Sequence, residues 1–167
     1  MSFRHQLAAQ IATVGSIGRV PFAPGTFGSL AAIPIAWGLH YLGGITALLV
    51  ATVVLGYAGY WASREYLAGR QEDPSEIVID EVVGMLITLM PLSIGLTMAG
   101  SAPHVFPWPG WVGGFLAFRF FDILKPPPIR WVDRPGPLGV MLDDIVAGIM
   151  AAASVLLAAG VSHGWFV

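Results

Sequence analysis

The chain contains no cysteine, which excludes disulfides, a thiolate nucleophile and a Cys-ligated zinc site. Charge is scarce as well. Only 11% of the 167 residues are Asp, Glu, Lys or Arg, against about 25% in a soluble domain. Eight basic and ten acidic side chains cannot cover a water-facing surface on a chain that is 56% hydrophobic. The net charge of −2 gives no excess with which to bind nucleic acid. Internal repeats and low-complexity tracts are missing too. The N-terminal arm, 1–20, starts with Arg4 but has only a short apolar run at 11–17 before Arg19, so it does not read as a cleaved signal peptide. What remains is a single all-α domain over 1–167: a polytopic membrane helix bundle with mean hydropathy +0.74.

A membrane-spanning helix needs about 20 mostly apolar residues. Five stretches suit: 27–42, 45–62, 82–99, 105–121 and 145–161. Pro34 interrupts the first, and the fourth is short, rich in glycine and holds Arg119. About five spans are expected, with four plus an interfacial or re-entrant segment as the alternative. Charge placement ties the segments together. With the N-terminus in the cytoplasm, the turn 41–45 and the loop 100–108 face outward, and neither holds an Asp, Glu, Lys or Arg. Every charged residue then falls in the N-terminal arm, in 63–81 or in 119–144, while the tail 163–167 lies outside. The positive-inside tendency sorts cations only. Here the acids share their side.

Three polar stretches meet at that face. The first, Gly18-Arg19-Val20-Pro21-Phe22-Ala23-Pro24-Gly25-Thr26-Phe27-Gly28-Ser29, precedes the first span. Its prolines and glycines force turns, and Thr26 or Ser29 is placed to cap the following helix. A helix start with free N–H groups attracts an anion such as phosphate, although an ordinary helix start explains the pattern equally well. The second stretch runs from Asp73 through Glu76 to Asp80-Glu81, the two acids that open the third span. One acid there suits the helix dipole. Two adjacent acids leave a helix in different directions, and acids at membrane depth point to function. Asp73 and Glu76 read as solvated loop acids.

The third stretch carries Arg119, Asp122 and Lys125, then Pro126-Pro127-Pro128, then Arg130, Asp133 and Arg134, and finally Asp143-Asp144. Arg119 and Asp122, three apart, share a helix face. Asp143-Asp144 repeats the pattern of Asp80-Glu81, an acid pair opening a span. The proline run is expected to stiffen the connection in an extended form. Lys125, Arg130 and Arg134 suit either anchoring at anionic head groups or chemistry. Five carboxylates, Asp80, Glu81, Asp122, Asp143 and Asp144, with no His or Cys beside them suit a hard cation such as Mg2+, and the adjacent cations suit phosphate. His5, His40, His104 and His163 lie outside these stretches, which argues against a phosphohistidine route or a His-ligated zinc.

The runs Ala-Pro-Gly-Thr-Phe-Gly-Ser (23–29), Ile-Val-Ile-Asp-Glu-Val-Val-Gly (77–84), Phe-Arg-Phe-Phe-Asp-Ile-Leu-Lys-Pro-Pro-Pro-Ile (118–129) and Gly-Val-Met-Leu-Asp-Asp-Ile-Val-Ala-Gly (139–148) together resemble the phosphatidylglycerophosphatase A family. They occur in that family's order and cover nearly the whole chain. The resemblance implies a bacterial inner-membrane enzyme, its site facing the cytoplasm, that uses Mg2+ to remove the terminal phosphate of phosphatidylglycerophosphate and so completes phosphatidylglycerol biosynthesis. It carries the family's motif acids onto Asp80, Glu81, Asp122, Asp143 and Asp144 and its motif bases onto Arg119 and Lys125. It does not divide them between metal ligation and action on the substrate.

On this reading some of the five acids hold one or two Mg2+, which polarise the phosphoryl oxygens and acidify a bound water. A spare carboxylate orients or deprotonates that water, and Arg119 and Lys125 neutralise phosphoryl charge. Pro24, Gly25, Thr26 and Ser29 add backbone or hydroxyl contacts to the substrate. A covalent aspartyl-phosphate is the competing route. The signatures of histidine-dependent lipid phosphatases, CDP-alcohol phosphotransferases and haloacid-type phosphatases are missing. The alternative outside enzymology is a small membrane transporter or channel with a cytoplasmic cation site, but no charge lies in mid-span to mark a path.

Overall fold

The fold is seen in a computed structural model that describes residues 2–68 and 74–162. Asp73 and His163, assigned above to a loop and a tail, lie outside the described residues. The Ser2 hydroxyl accepts the His5 N–H at 3.3 Å and opens α1 (Phe3–Ala12). Ala8 and Ala12 are fully buried, so small side chains let this arm close on the bundle. The Ala12 carbonyl accepts the Val78 N–H at 2.9 Å, tying the arm to the entry of a later helix. A 3-10 turn, Ile17–Arg19, follows.

Helix α2 (Pro24–Leu67) starts with proline at its first position, where the missing N–H costs nothing. Its N-cap is Ala23 in the left-handed conformation, without a side-chain cap. Thr26 and Ser29 therefore lie inside the helix and do not cap it, contrary to the sequence expectation; fixed φ at Pro24 set the start three residues earlier. Pro34 stays within the helix. The interruption comes instead at Gly43 (φ −163°, ψ 22°) and Gly44 (φ 59°, ψ −146°), and a residue in the second of these conformations is almost always glycine.

Contacts with α3 (Ile79–Met98) show that the chain reverses there. On the first limb of α2, Gly28 packs on Val78, His40 bonds to Ser93 at 2.8 Å, and Gly44 lies beside Thr97. On the second limb, Gly59 packs back on Ile79. The reversal falls inside the expected turn 41–45, and each limb is roughly 30 Å long at 1.5 Å per residue.

The remaining elements are α4 (Trp108–Leu124), α5 (Ile129–Val132) and α6 (Pro137–Ser162). Among the described residues there is no strand, and α2, α3 and α6 are long and apolar enough to cross a membrane. The two limbs of α2 with α3, α4 and α6 correspond to the five expected segments. With 17 residues, α4 reaches about 25 Å, short of a hydrocarbon core of about 30 Å. Helix α3 lies at the centre, with Val82, Val83, Met85, Leu86 and Leu89 buried. Apolar side chains such as Val50, Val53, Leu156 and Leu157 point outward, as they must where lipid replaces water.

Candidate active site

Helices α3 and α6 cross on two glycines. A Cβ on Gly84 would lie 2.6 Å from both the Asp144 carbonyl oxygen and Phe118 Cε2, and one on Gly148 would overlap the Gly84 carbonyl oxygen. Only bare backbone permits this approach. One helical turn before each glycine stand the acids, Asp80-Glu81 on α3 and Asp143-Asp144 on α6. The crossing therefore brings carboxylate oxygens of Asp80, Glu81 and Asp144 within 4.8 Å of one another. Asp80, Asp143 and Asp144 are buried, and Asp80 Oδ1 accepts the Glu81 N–H at 3.0 Å.

Helix α4 delivers Asp122, ion-paired to Arg119 one turn earlier, as the spacing predicted. It ends at Lys125, whose left-handed backbone (φ 44°, ψ 54°) turns the side chain back toward the acids. Lys125 Nζ lies 2.6 Å from Asp143 Oδ2 and 3.0 Å from Asp133 Oδ2. Burial alone would lower its pKa, but these two carboxylates outweigh it and hold the ammonium above the ordinary lysine value. Pro126 to Pro128 do not run extended. Pro128 sits in the helical region and Ile129 N–H bonds to the Pro126 carbonyl at 2.9 Å, because the chain must turn sharply between α4 and α5.

A cavity of about 370 Å3 joins these groups. Asp80, Glu81, Asp122, Asp143, Asp144 and Lys125 all line it, with Asp133, Arg134 and the loop residues Pro74, Ser75 and Ile77. Arg119 is not a lining residue; it stands behind Asp122. Asp80, Glu81 and Asp144 make no ion pair among the described residues. Glu81 Oε2 and Asp143 Oδ1 are buried without a hydrogen-bond partner. Converging buried carboxylates of one sign favour a counter-charge, and the unsatisfied oxygens are free to ligate one. The donor set is all oxygen, so the residues fit a hard divalent cation.

The start of α2 covers the acids from the side. A Cβ on Gly25 would overlap Glu81 Oε1 and approach Arg119 Nη1 to 3.2 Å. Ser29 is buried and its hydroxyl donates to the Gly25 carbonyl at 2.8 Å, so it braces the turn. Gly25 adjoins the site, but none of Pro24, Gly25, Thr26 and Ser29 lines its cavity. Glu76, read above as a solvated loop acid, accepts the Tyr66 hydroxyl at 2.6 Å. That bond holds the loop leading into α3. Of the remaining cavity residues, Arg134 was left open between anchoring and chemistry by the sequence, and Asp133 was not singled out. Their signal was a charged turn between two acidic motifs.

With this geometry in view, comparison with known proteins decides the family. The profile described as phosphatidylglycerophosphatase A matches residues 10–159. The chain belongs to the phosphatidylglycerophosphatase A family. An Escherichia coli phosphatidylglycerophosphatase A is 36% identical over 150 residues, covering 89% of this chain and 79% of that protein. The Haemophilus influenzae phosphatidylglycerophosphatase A is 35% identical over 137 residues, covering 80% and 77%. A Bacteroides thetaiotaomicron protein named "Putative phosphatidylinositol-3-phosphatase" is 38% identical over 149 residues, covering 86% and 87%. No solved structure matches the chain. As a member of the phosphatidylglycerophosphatase A family carrying apolar helices of membrane-crossing length, the chain is a hydrolase of the membrane lipid-phosphatase class.

Proposed function

We propose that the chain hydrolyses the terminal phosphate of phosphatidylglycerophosphate to phosphatidylglycerol and inorganic phosphate, with Mg2+, at the cytoplasmic face of a bacterial inner membrane. The observation that carries this reading is the convergence of Asp80, Glu81 and Asp144 in a cavity at the lip of membrane-length helices. A cation site there lies where a lipid head group lies, while the acyl chains stay in the bilayer. The relatives from E. coli and H. influenzae support the substrate; the B. thetaiotaomicron relative's name points to another phosphomonoester on a lipid head group.

Asp80, Glu81 and Asp144 would hold the metal, and the unsatisfied oxygen of Asp143 is available beside them. Bound there, Mg2+ supplies charge neutralisation and a more acidic water. Lys125, kept charged by Asp133 and Asp143, presents positive charge to the phosphoryl oxygens. Arg119 fixes the orientation of Asp122 through their ion pair, leaving Asp122 to orient the attacking water and accept its proton. Gly25 holds the start of α2 against Glu81 and limits water access from that side. As an enzyme-family member the chain gives the transporter alternative no support.

Phosphate release by the purified protein from vesicles containing phosphatidylglycerophosphate tests the proposal. EDTA should abolish release and Mg2+ restore it, with Mn2+ able to substitute, and Mg2+ should raise the Tm of the chelated protein. Full turnover in chelator removes the metal from the mechanism. No release with Mg2+ present removes the substrate.

A further inference from the structure

We propose that Arg134 is a phosphate-binding residue of this cavity, an inference that rests on the lipid-phosphatase reading above. Two cations line the cavity, Lys125 and Arg134. Lys125 is engaged by Asp133 and Asp143, whereas Arg134 makes no ion pair among the described residues. Six carboxylates share the lining. An anion that enters such a space gains most from positive charge that no carboxylate already neutralises, and among the described cavity residues Arg134 adds such charge to that of the paired Lys125.

Arg134 is exposed, but its backbone is fixed beside the cavity. The preceding residue, Asp133, is tied to Lys125 at 3.0 Å. The Arg134 backbone packs on the first turn of α6 so closely that a Cβ on Gly139 would overlap its carbonyl oxygen. With its backbone held, Arg134 can present the planar fork of its guanidinium to two phosphate oxygens at once. Arg130 provides the contrast: both cations are exposed on the same connection, but Arg130 does not line the cavity.

The recognised chemistry is a phosphate group, which the substrate offers as its terminal monoester and again as the diester to the lipid glycerol. Steady-state kinetics on phosphatidylglycerophosphate would compare Arg134→Gln, Arg134→Lys and Arg130→Gln, with inhibition by inorganic phosphate and by phosphatidylglycerol in phosphatidylcholine vesicles. Arg134→Gln should raise KM about tenfold or more, the scale of losing a charge-assisted hydrogen bond, with kcat within about threefold. Arg134→Lys should recover part of the loss and Arg130→Gln none of it should show. Weaker inhibition of Arg134→Gln by inorganic phosphate assigns Arg134 to the monoester; weaker inhibition by phosphatidylglycerol assigns it to the diester. Either result supports the proposal. Unchanged KM and inhibition in Arg134→Gln overturn it, as do equal effects in Arg130→Gln or a fall in kcat alone that lysine does not rescue. If the wild type fails to hydrolyse the lipid, the underlying reading has failed, and calorimetric binding of inorganic phosphate to wild type and Arg134→Gln still decides the fate of Arg134.

Discussion

Replacing Gly148 by alanine sets two effects of opposite sign against each other. Within a helix, glycine to alanine ordinarily stabilises by about 1 kcal/mol. At Gly148 the new Cβ would overlap the Gly84 carbonyl oxygen and lie 3.0 and 3.1 Å from its carbonyl carbon and Cα. These are backbone atoms, so no side chain can swing away and the two helices must part. Overpacking of that kind costs about 1–3 kcal/mol, which offsets or exceeds the propensity gain. The displacement falls on Asp80, Glu81 and Asp144, each about one turn from the crossing. A shift of about 1 Å at reacting groups costs about 100-fold in rate. The assay is Tm in detergent together with turnover per folded protein, using Gly56→Ala as the control because nothing beyond its own helix backbone and chain neighbours lies within 4 Å of a Cβ there. Gly148→Ala should lose most of its turnover with unchanged or lower Tm, while Gly56→Ala should keep its turnover with unchanged or higher Tm. If the two variants behave alike, the glycine crossing does not set the acid geometry.

Two further outcomes follow from the fold. His40→Ala removes the buried 2.8 Å bond to Ser93 at the far end of the bundle, so it should cost about 1–3 kcal/mol of stability and leave kcat within twofold; a loss of turnover without a fall in Tm would place that end in the chemistry. The chain has no cysteine of its own, so single cysteines at Ser75, Asp133 and Ser101 can be labelled from either side. The first two should react from the cytoplasm and the third from outside, and opposite sidedness of Ser75 and Asp133 would contradict a single cavity between them.

Much of this was legible because charge is rare in an apolar chain. An Asp or Glu at the end of a span has few structural reasons to be there, so Asp80-Glu81 and Asp143-Asp144 stood out as candidates, which the fold gathers around one cavity, and the three-residue spacing of Arg119 and Asp122 matches an ion pair in the fold. The reversal at Gly43-Gly44 was legible as a polar-poor break between apolar runs. Long-range partners were not. Nothing local says that Lys125 reaches Asp133 as well as Asp143, or that Tyr66 bonds to Glu76. Nor does sequence separate Gly148, against backbone, from Gly56, in open space; that difference exists only once two helices meet. The capping assignment failed for a local reason, since Pro24 and a left-handed Ala23 start α2 without help from Thr26 or Ser29.

Whether the buried acids at one membrane face carry the hydrolysis is decided by turnover of phosphatidylglycerophosphate by Asp80→Asn, Glu81→Gln and Asp144→Asn, normalised to folded, inserted protein. These amide replacements keep size and remove charge from the three carboxylates that converge within 4.8 Å. Each should lower kcat by about 100-fold or more, equivalent to about 3 kcal/mol of transition-state stabilisation, and abolish the rise in Tm with Mg2+, while Arg130→Gln stays near wild type. Near-normal turnover in all three amide variants would remove these acids from the chemistry and leave them as nothing more than charged helix ends.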